Sequence, residues 1–192
     1  KKLVEYKLVH KVHESYALTN AGKDYTNLMD DEVTFIEKQP KTSVLLHVVR
    51  KNNKGEVEHL LSKRLRHPYF GKIGRLTGKV QFGETLEEAA QRELYEESGL
   101  TAERFTLEQV YHKMRYKADG TFLQDNLFYR FFANEVSGTF ISKTKHQENL
   151  WLTQHDLVEG DFDTFGDLTL DGRFEPQKLH FIEDKKLIKE NY

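Results

Sequence analysis

Residues 85–98 place the strongest constraint on how this chain can fold. Thr85 and Glu88 form a T-x-x-E capping box. Leu86, Ala89, Ala90 and Leu94 recur with a period near 3.6 and make an apolar stripe. Gly99 stands where a left-handed residue ends a helix. The spacing predicts a helix over 85–98 that buries one face. The rest of its surface carries Glu93, Glu96 and Glu97 at i, i+3 and i+4, so three carboxylates lie side by side. Like charges at that spacing cost roughly a few tenths of a kcal/mol per pair. Glu96 and Glu97 also sit in the last turn, where the helix dipole disfavours anions by roughly 0.3–1 kcal/mol. Selection for stability alone would avoid this arrangement. A hard divalent cation reverses the sign of every one of these terms. Oxygen-only ligands suit Mg²⁺ or Mn²⁺, and Mg²⁺ ordinarily brings phosphate oxygens into its shell. The pattern therefore predicts a metal-assisted phosphate site on a helix.

Such a helix needs a sheet to lie on, and the flanking sequence supplies strand signals. Lys41–Arg50 is rich in Val and Leu, Asn52–Gly55 is a turn, and residues 56–66 resume an alternating pattern, which reads as a hairpin. Residues 67–83, with Gly71, Gly74, Gly78 and Gly83, read as a loop. Residues 105–116 and 121–133 form a second predicted hairpin around Ala118-Asp119-Gly120, with Phe122, Leu127, Phe128, Phe131 and Phe132 assigned to the core. A last strand is expected near 148–153, then a short helix capped by Thr153 with Asp156. From Gly160 onward the sequence is loop-like. Strand pairs interrupted by helices predict an α/β fold with a mixed sheet and helices on its faces. Ahead of Pro40, residues 1–36 form a separate block. It begins with a helix end over Lys1–Val9, where Leu3 and Val4 meet Leu8. Short strands follow at Lys11–Glu14 and Ser15–Thr19, then a helix from Asn20 through Tyr25 to Met29.

Composition excludes several classes of function. A chain of 192 residues suits one domain, or one domain plus a small appendage. Lys+Arg is 29 and Asp+Glu is 31, so the net charge of −2 provides no global basic field for nucleic acid or an anionic membrane. The absence of Cys removes thiol catalysis, disulfides and Cys-based zinc sites, and suits a cytoplasmic location. The longest apolar stretch, Ser43 to Val49, is far too short to span a bilayer, and no signal peptide is expected at Lys1.

The segment Gly78 to Leu100 reads GKVQFGETLEEAAQRELYEESGL. It fits G-x5-E-x7-R-E-U-x-E-E-x-G-U, with U a bulky apolar residue, at Gly78, Glu84, Arg92, Glu93, Leu94, Glu96, Glu97, Gly99 and Leu100. This resembles the box of the Nudix (MutT-like) hydrolases. Seven fixed letters at ordinary usage match by chance about once in 10⁹ positions. The surrounding strand order resembles the Nudix α/β/α sandwich over residues 41–160, which leaves 1–36 as an N-terminal segment and 161–192 as a C-terminal extension. The resemblance implies that Glu93, Glu96 and Glu97 bind divalent metal, Mg²⁺ or Mn²⁺, and that Glu93 or Glu97 helps deprotonate the attacking water. It implies that Arg92 orients a box glutamate through a charge-assisted bond, that Glu84 supports the loop, and that Gly99 closes the helix. The carbonyl of Gly78 is implied as a metal ligand, in a turn where Gly permits unusual dihedrals. Many family members carry a second Gly where Thr77 stands, so its Cβ is expected to constrain that turn. Some members draw a catalytic glutamate from outside the box, for which Glu148 is the candidate. The implied reaction is attack of water on a nucleoside diphosphate linked to X.

Substrate markers are sparser. Tyr116, sixteen residues after Leu100, resembles a marker of dinucleoside polyphosphate hydrolases. Lys63, Arg64, Arg66 and Lys72 form a basic cluster, from which Arg64 and Arg66 are expected to meet phosphates. A nucleoside triphosphate, a dinucleoside polyphosphate and an ADP-ribose-like compound all fit as substrates, and the chain is compatible with a homodimer. In the first block, Tyr16, Leu18, Thr19 and Gly22 follow a tight β pair and resemble the second half of a winged-helix domain. DNA binding by that segment would need the complete winged helix. The alternative function is therefore a Nudix-related, nucleotide-sensing transcriptional regulator, although in such sensors the box is often degraded and here it is intact.

Overall fold

In a computed structural model, which describes residues 2–26, 39–67, 69–160, 162–164 and 180–188, the chain divides into two units, Lys1–Gln39 and Pro40–Tyr192. The first unit carries α1 (Lys2–Glu5), the antiparallel pair β1 (Val9–Val12) and β2 (Ser15–Leu18), and α2 (Asn20–Thr26). Thr19 ties its corner together. The hydroxyl donates to the Lys7 carbonyl at 2.6 Å and accepts from the Gly22 amide at 3.0 Å. The expected continuation of this helix to Met29 lies outside the described residues.

The second unit runs β3 (Lys41–Lys51), β4 (Val57–Arg64), β5 (Ile73–Gly74), β6 (Leu76–Lys79), α3 (Leu86–Ser98), β7 (Leu100–Ala102), β8 (Thr106–Lys117), β9 (Phe122–Ala133), β10 (Val136–Gly138), β11 (Gln147–Thr153), α4 (Gln154–Glu159) and β12 (His180–Ile188). The main sheet has the order β11-β4-β3-β9-β8-β12, with β5 paired to β4 and β6 to β3. The β3–β9 and β8–β12 pairs are parallel and the other pairs antiparallel, which makes the mixed α/β sheet the sequence predicts.

Alternation along the strands decides what each face holds. Val44, Leu46 and Val48 of β3, Leu60 of β4, Leu76 of β6 and Phe131 of β9 turn to one face and pack with Ala89, Ala90 and Leu94 of α3. The apolar stripe of the helix thus meets the sheet as its spacing requires. The opposite face buries polar side chains beside Leu61 and Ile73. His47 Nδ1 lies 3.1 Å from Glu108, Arg130 Nε lies 3.0 Å from the same carboxylate, and the rings of His47 and His59 stack at 5.5 Å. Burial, then the charge of Arg75, holds His47 down to about 2, so it stays neutral.

Three expectations about the elements are corrected. Residues 67–83 are not wholly a loop, because β5 and β6 lie within them. These strands are too short and too glycine-rich to show a period, and exist because β4 and β3 offer pairing edges. The tail is not all loop-like after Gly160, because His180–Ile188 adds a parallel strand at the β8 edge. Its apolar residues come in pairs around a charged centre, so no alternation announces it. Phe122 is not core: it is half exposed beside the β8–β9 turn, where its ring meets the Tyr116 ring edge-on at 5.0 Å.

Candidate active site

The box segment folds as strand, turn and helix. Thr85 caps α3, accepting from the Glu88 amide at 3.2 Å while Glu88 accepts from the Thr85 amide at 2.8 Å. Gly99 ends the helix at φ 71°, with its amide donating to the Tyr95 carbonyl at 2.8 Å. Both caps are local, so the rotation of α3 about its axis, and with it the direction of each glutamate, follows from the apolar stripe.

Arg92 organises the turn. Its Nε and Nη2 donate to the two oxygens of Glu84 at 2.7 and 2.9 Å, a bidentate clamp. Nη2 also donates to the Lys79 carbonyl at 2.9 Å, and Nη1 donates to Glu93 at 2.6 Å and to Glu96 at 3.1 Å. The Glu84 carboxylate additionally accepts from the Gln81 amide at 2.9 Å. The bonds from Arg92, then the one from Gln81, hold the Glu84 carboxyl below the usual carboxylate range. Glu84 is thus tied to the turn through Arg92 and Gln81, and Arg92 also holds one oxygen of Glu93.

The expected dihedral reason for Gly78 is corrected. Gly78 lies in β6 opposite Val44, and it has an ordinary strand backbone instead of a left-handed one. A Cβ placed there would overlap the carboxyl group of Glu93. Close approach requires glycine here. Thr77 likewise sits in the strand, opposite Leu45, and constrains no turn.

The three carboxylates are not equivalent. Glu96 is drawn out to Arg92, with its side chain 55% exposed, whereas the Glu93 side chain is 12% exposed beneath Gly78. Glu97 is half-buried, and this burial first, then the charge of Glu93, pushes its carboxyl up to about 7. Arg66 and Arg64 pull in the opposite direction, so the structure brings both cations within electrostatic reach of Glu97. Arg64 lies across the β4–β11 pair from Gln147, on the same face as that residue.

Glu148 and Tyr116 are not brought to this cluster. Along β11 it is Gln147 and Asn149 that reach α3, so Glu148 projects from the opposite face, next to Lys63 across the strand pair. Gly78, Val44, Tyr129 and Val110 form one row across the sheet. Tyr116 is six residues along β8 from that row, roughly 20 Å at the rise of an extended strand. Sequence reasoning missed Gln147 and Asn149. The available signal was two amides at alternate positions ahead of Trp151 on one strand face.

No three carboxylates or imidazoles among the described residues converge on one point. The donor set nonetheless fits a Mg²⁺-type ion. Such an ion takes one or two protein carboxylates and completes its shell with phosphate and water. Glu93 and Glu97 are a half-buried, mutually repelling, oxygen-only pair that a cation would relieve. No described helix is long and apolar enough to cross a membrane.

A model of the NUDIX domain matches residues 40–171. A curated relative, the oxidized purine nucleoside triphosphate hydrolase of Danio rerio, is 50% identical over 62 residues, covering 32% of this chain and 38% of that protein. The chain thus spans little more than a third of that relative's length. The crystal structure of a MutT NUDIX hydrolase from Burkholderia pseudomallei superposes with a TM-score of 0.53 at 28% identity, covering 69% of this chain and 92% of that one. The NUDIX domain of Shewanella oneidensis NrtR, solved with ADP ribose, superposes with a TM-score of 0.56 at 17% identity, covering 76% and 90%, and shares the fold.

Proposed function

Because this chain belongs to the NUDIX family, we propose that it is a Mg²⁺- or Mn²⁺-dependent pyrophosphohydrolase acting on a nucleoside diphosphate linked to X. The observation that carries this reading is the Glu93–Glu97 pair under Gly78, held by the Arg92–Glu84 clamp. Glu93 and Glu97 would hold the cation, with the Gly78 carbonyl beside them, and Glu96 would join them on leaving its bond to Arg92. A bound divalent cation supplies charge neutralisation and activation of water. Arg92 keeps Glu93 in one orientation, so the carboxylate is set before substrate arrives. Arg64 and Arg66 meet substrate phosphates. The oxygen of water bonds to phosphorus and the diphosphate P–O bond breaks, giving a nucleoside monophosphate and phosphorylated X. The water proton passes to Glu93 or Glu97.

Among substrates, an oxidised purine nucleoside triphosphate has the most support, since the activity named for the 50%-identical relative is of that class. Dinucleoside polyphosphates and ADP-ribose share the same bond. The test is release of phosphate and nucleotide from oxidised and normal dNTPs, ADP-ribose and diadenosine polyphosphates, with and without Mg²⁺. Metal-dependent turnover of one class is the expected result. Tight binding of one nucleotide with no turnover of any would overturn the hydrolase reading in favour of a nucleotide sensor.

A further inference from the structure

Gln147 and Asn149 of β11 are buried at 9% and 2% exposure, and both reach the last turn of α3. Neither belongs to the box. Asn149 spends both Nδ2 hydrogens on backbone carbonyls, at 2.6 Å to Glu97 and 2.7 Å to Ile141. The Glu97 carbonyl is one of the helix-terminal acceptors that no helical amide serves. With both donors used, Asn149 must turn its oxygen to Gln147, which meets it with Nε2 at 2.9 Å. Gln147 has one hydrogen left on that nitrogen, and it points to Glu97 Oε2 at 3.5 Å. Two backbone carbonyls therefore dictate the direction of both amides, and the second amide is obliged to present a donor to the Glu97 carboxylate.

We propose that Gln147 and Asn149 are positioning residues: a two-amide relay that sets the orientation of Glu97 by engaging Oε2 and leaving Oε1 for the cation. This rests on the metal-site reading above. Ligating carboxylates are held by outer hydrogen bonds of this kind, and losing one typically costs about 10–100-fold in metal affinity or activity. The relay differs from simple packing because it acts through hydrogen-bond direction. A side chain of equal length without a donor fills the space and loses the effect.

The test uses the full chain and the metal alone. Mn²⁺ binding is followed by electron paramagnetic resonance for wild type, Glu97→Gln and Gln147→Met, with the melting temperature of each. The expected result is loss of Mn²⁺ binding in E97Q and about tenfold weaker binding in Q147M, with Q147M still folded but melting a few degrees below wild type, because the buried Asn149 oxygen loses its donor. If E97Q binds no Mn²⁺ while Q147M binds it as wild type does, the relay is overturned and the metal site stands. If E97Q binds Mn²⁺ normally, the metal-site reading fails and the relay with it. Should Q147M not fold, the wild-type protein decides by nuclear magnetic resonance. The Gln147 side-chain amide protons, assigned by through-bond correlation, must shift as Mg²⁺ is added, and resonances that stay in place overturn the proposal.

Discussion

Replacing Glu97 with Gln should stabilise the metal-free protein at alkaline pH, against the ordinary direction of a buried substitution. Glu97 titrates at about 7 in the folded chain against its ordinary value of 4.5. Between those values the folded state binds the proton and the unfolded state releases it, so stability falls as pH rises. At about 1.4 kcal/mol per pH unit, the ionised carboxylate costs the metal-free fold about 3 kcal/mol at pH 8 and under about 1 kcal/mol at pH 5. The amide introduced by E97Q would carry no charge and escape that cost. For a chain of this size the difference corresponds to about 6–12 °C in melting temperature at pH 8. The assay is urea and thermal unfolding of both proteins in chelator, at pH 5 and pH 8, repeated with excess Mg²⁺. Wild type should gain stability from the metal, about 2.7 kcal/mol at a hundredfold excess over its Kd, while E97Q should gain little. Equal pH dependence of the two metal-free proteins would refute the claim that Glu97 is held in an unfavourable charged state. A wild type that gains no stability from Mg²⁺ would refute the claim that a cation relieves it.

Gly78→Ala should lower kcat about 10–100-fold, because the new Cβ must displace a Glu93 carboxyl that Arg92 pins; steady-state kinetics with a melting curve separates this from unfolding. Arg64→Ala and Arg66→Ala should each cost about 1.5–3 kcal/mol of transition-state binding, read as a fall in kcat/KM carried mainly by KM. Glu148→Gln should leave kcat within about twofold of wild type, about 0.4 kcal/mol of barrier, because its side chain faces away from the carboxylate cluster, and a large loss would show that this strand face meets the substrate.

The parts of the fold that were legible in the sequence are those whose causes are local. Thr85 with Glu88, the Leu86–Leu94 stripe and Gly99 all act within about one helical turn of their partners, and the helix follows. The Asp119–Thr121 turn is similarly self-contained, with the Thr121 amide donating to Asp119 at 2.8 Å. The β5 and β6 strands are different. Ile73 and Thr77 favour extension, but Gly74 and Gly78 break up any run or alternation, and the pairing comes from β4 and β3. The need for Gly78 is likewise set by Glu93 on another element. Gln147 and Asn149 acquire their roles from a helix terminus 50 and 52 residues away. An amide has no preferred partner written in its own neighbourhood, so their alternation marks a shared strand face without saying what that face meets.

The carboxylate cluster shows why correct local electrostatics still gave an incomplete site. From spacing alone, Glu93 repels Glu96 and Glu97 alike. Arg92 removes that equality, since it lies four residues before Glu96 and beside Glu93, and the Glu84 clamp fixes which way its guanidinium points. Glu96 leaves with the arginine toward solvent. Glu93 stays under Gly78 with one oxygen engaged, and the half-buried Glu97 takes both the cost of desolvation, which is the larger, and the repulsion from Glu93, which together push it up to about 7. The strain foreseen for three groups is thereby concentrated on one, and that one is the carboxylate tied to β11 by Gln147. A cation entering beside Glu93 therefore gains most at Glu97.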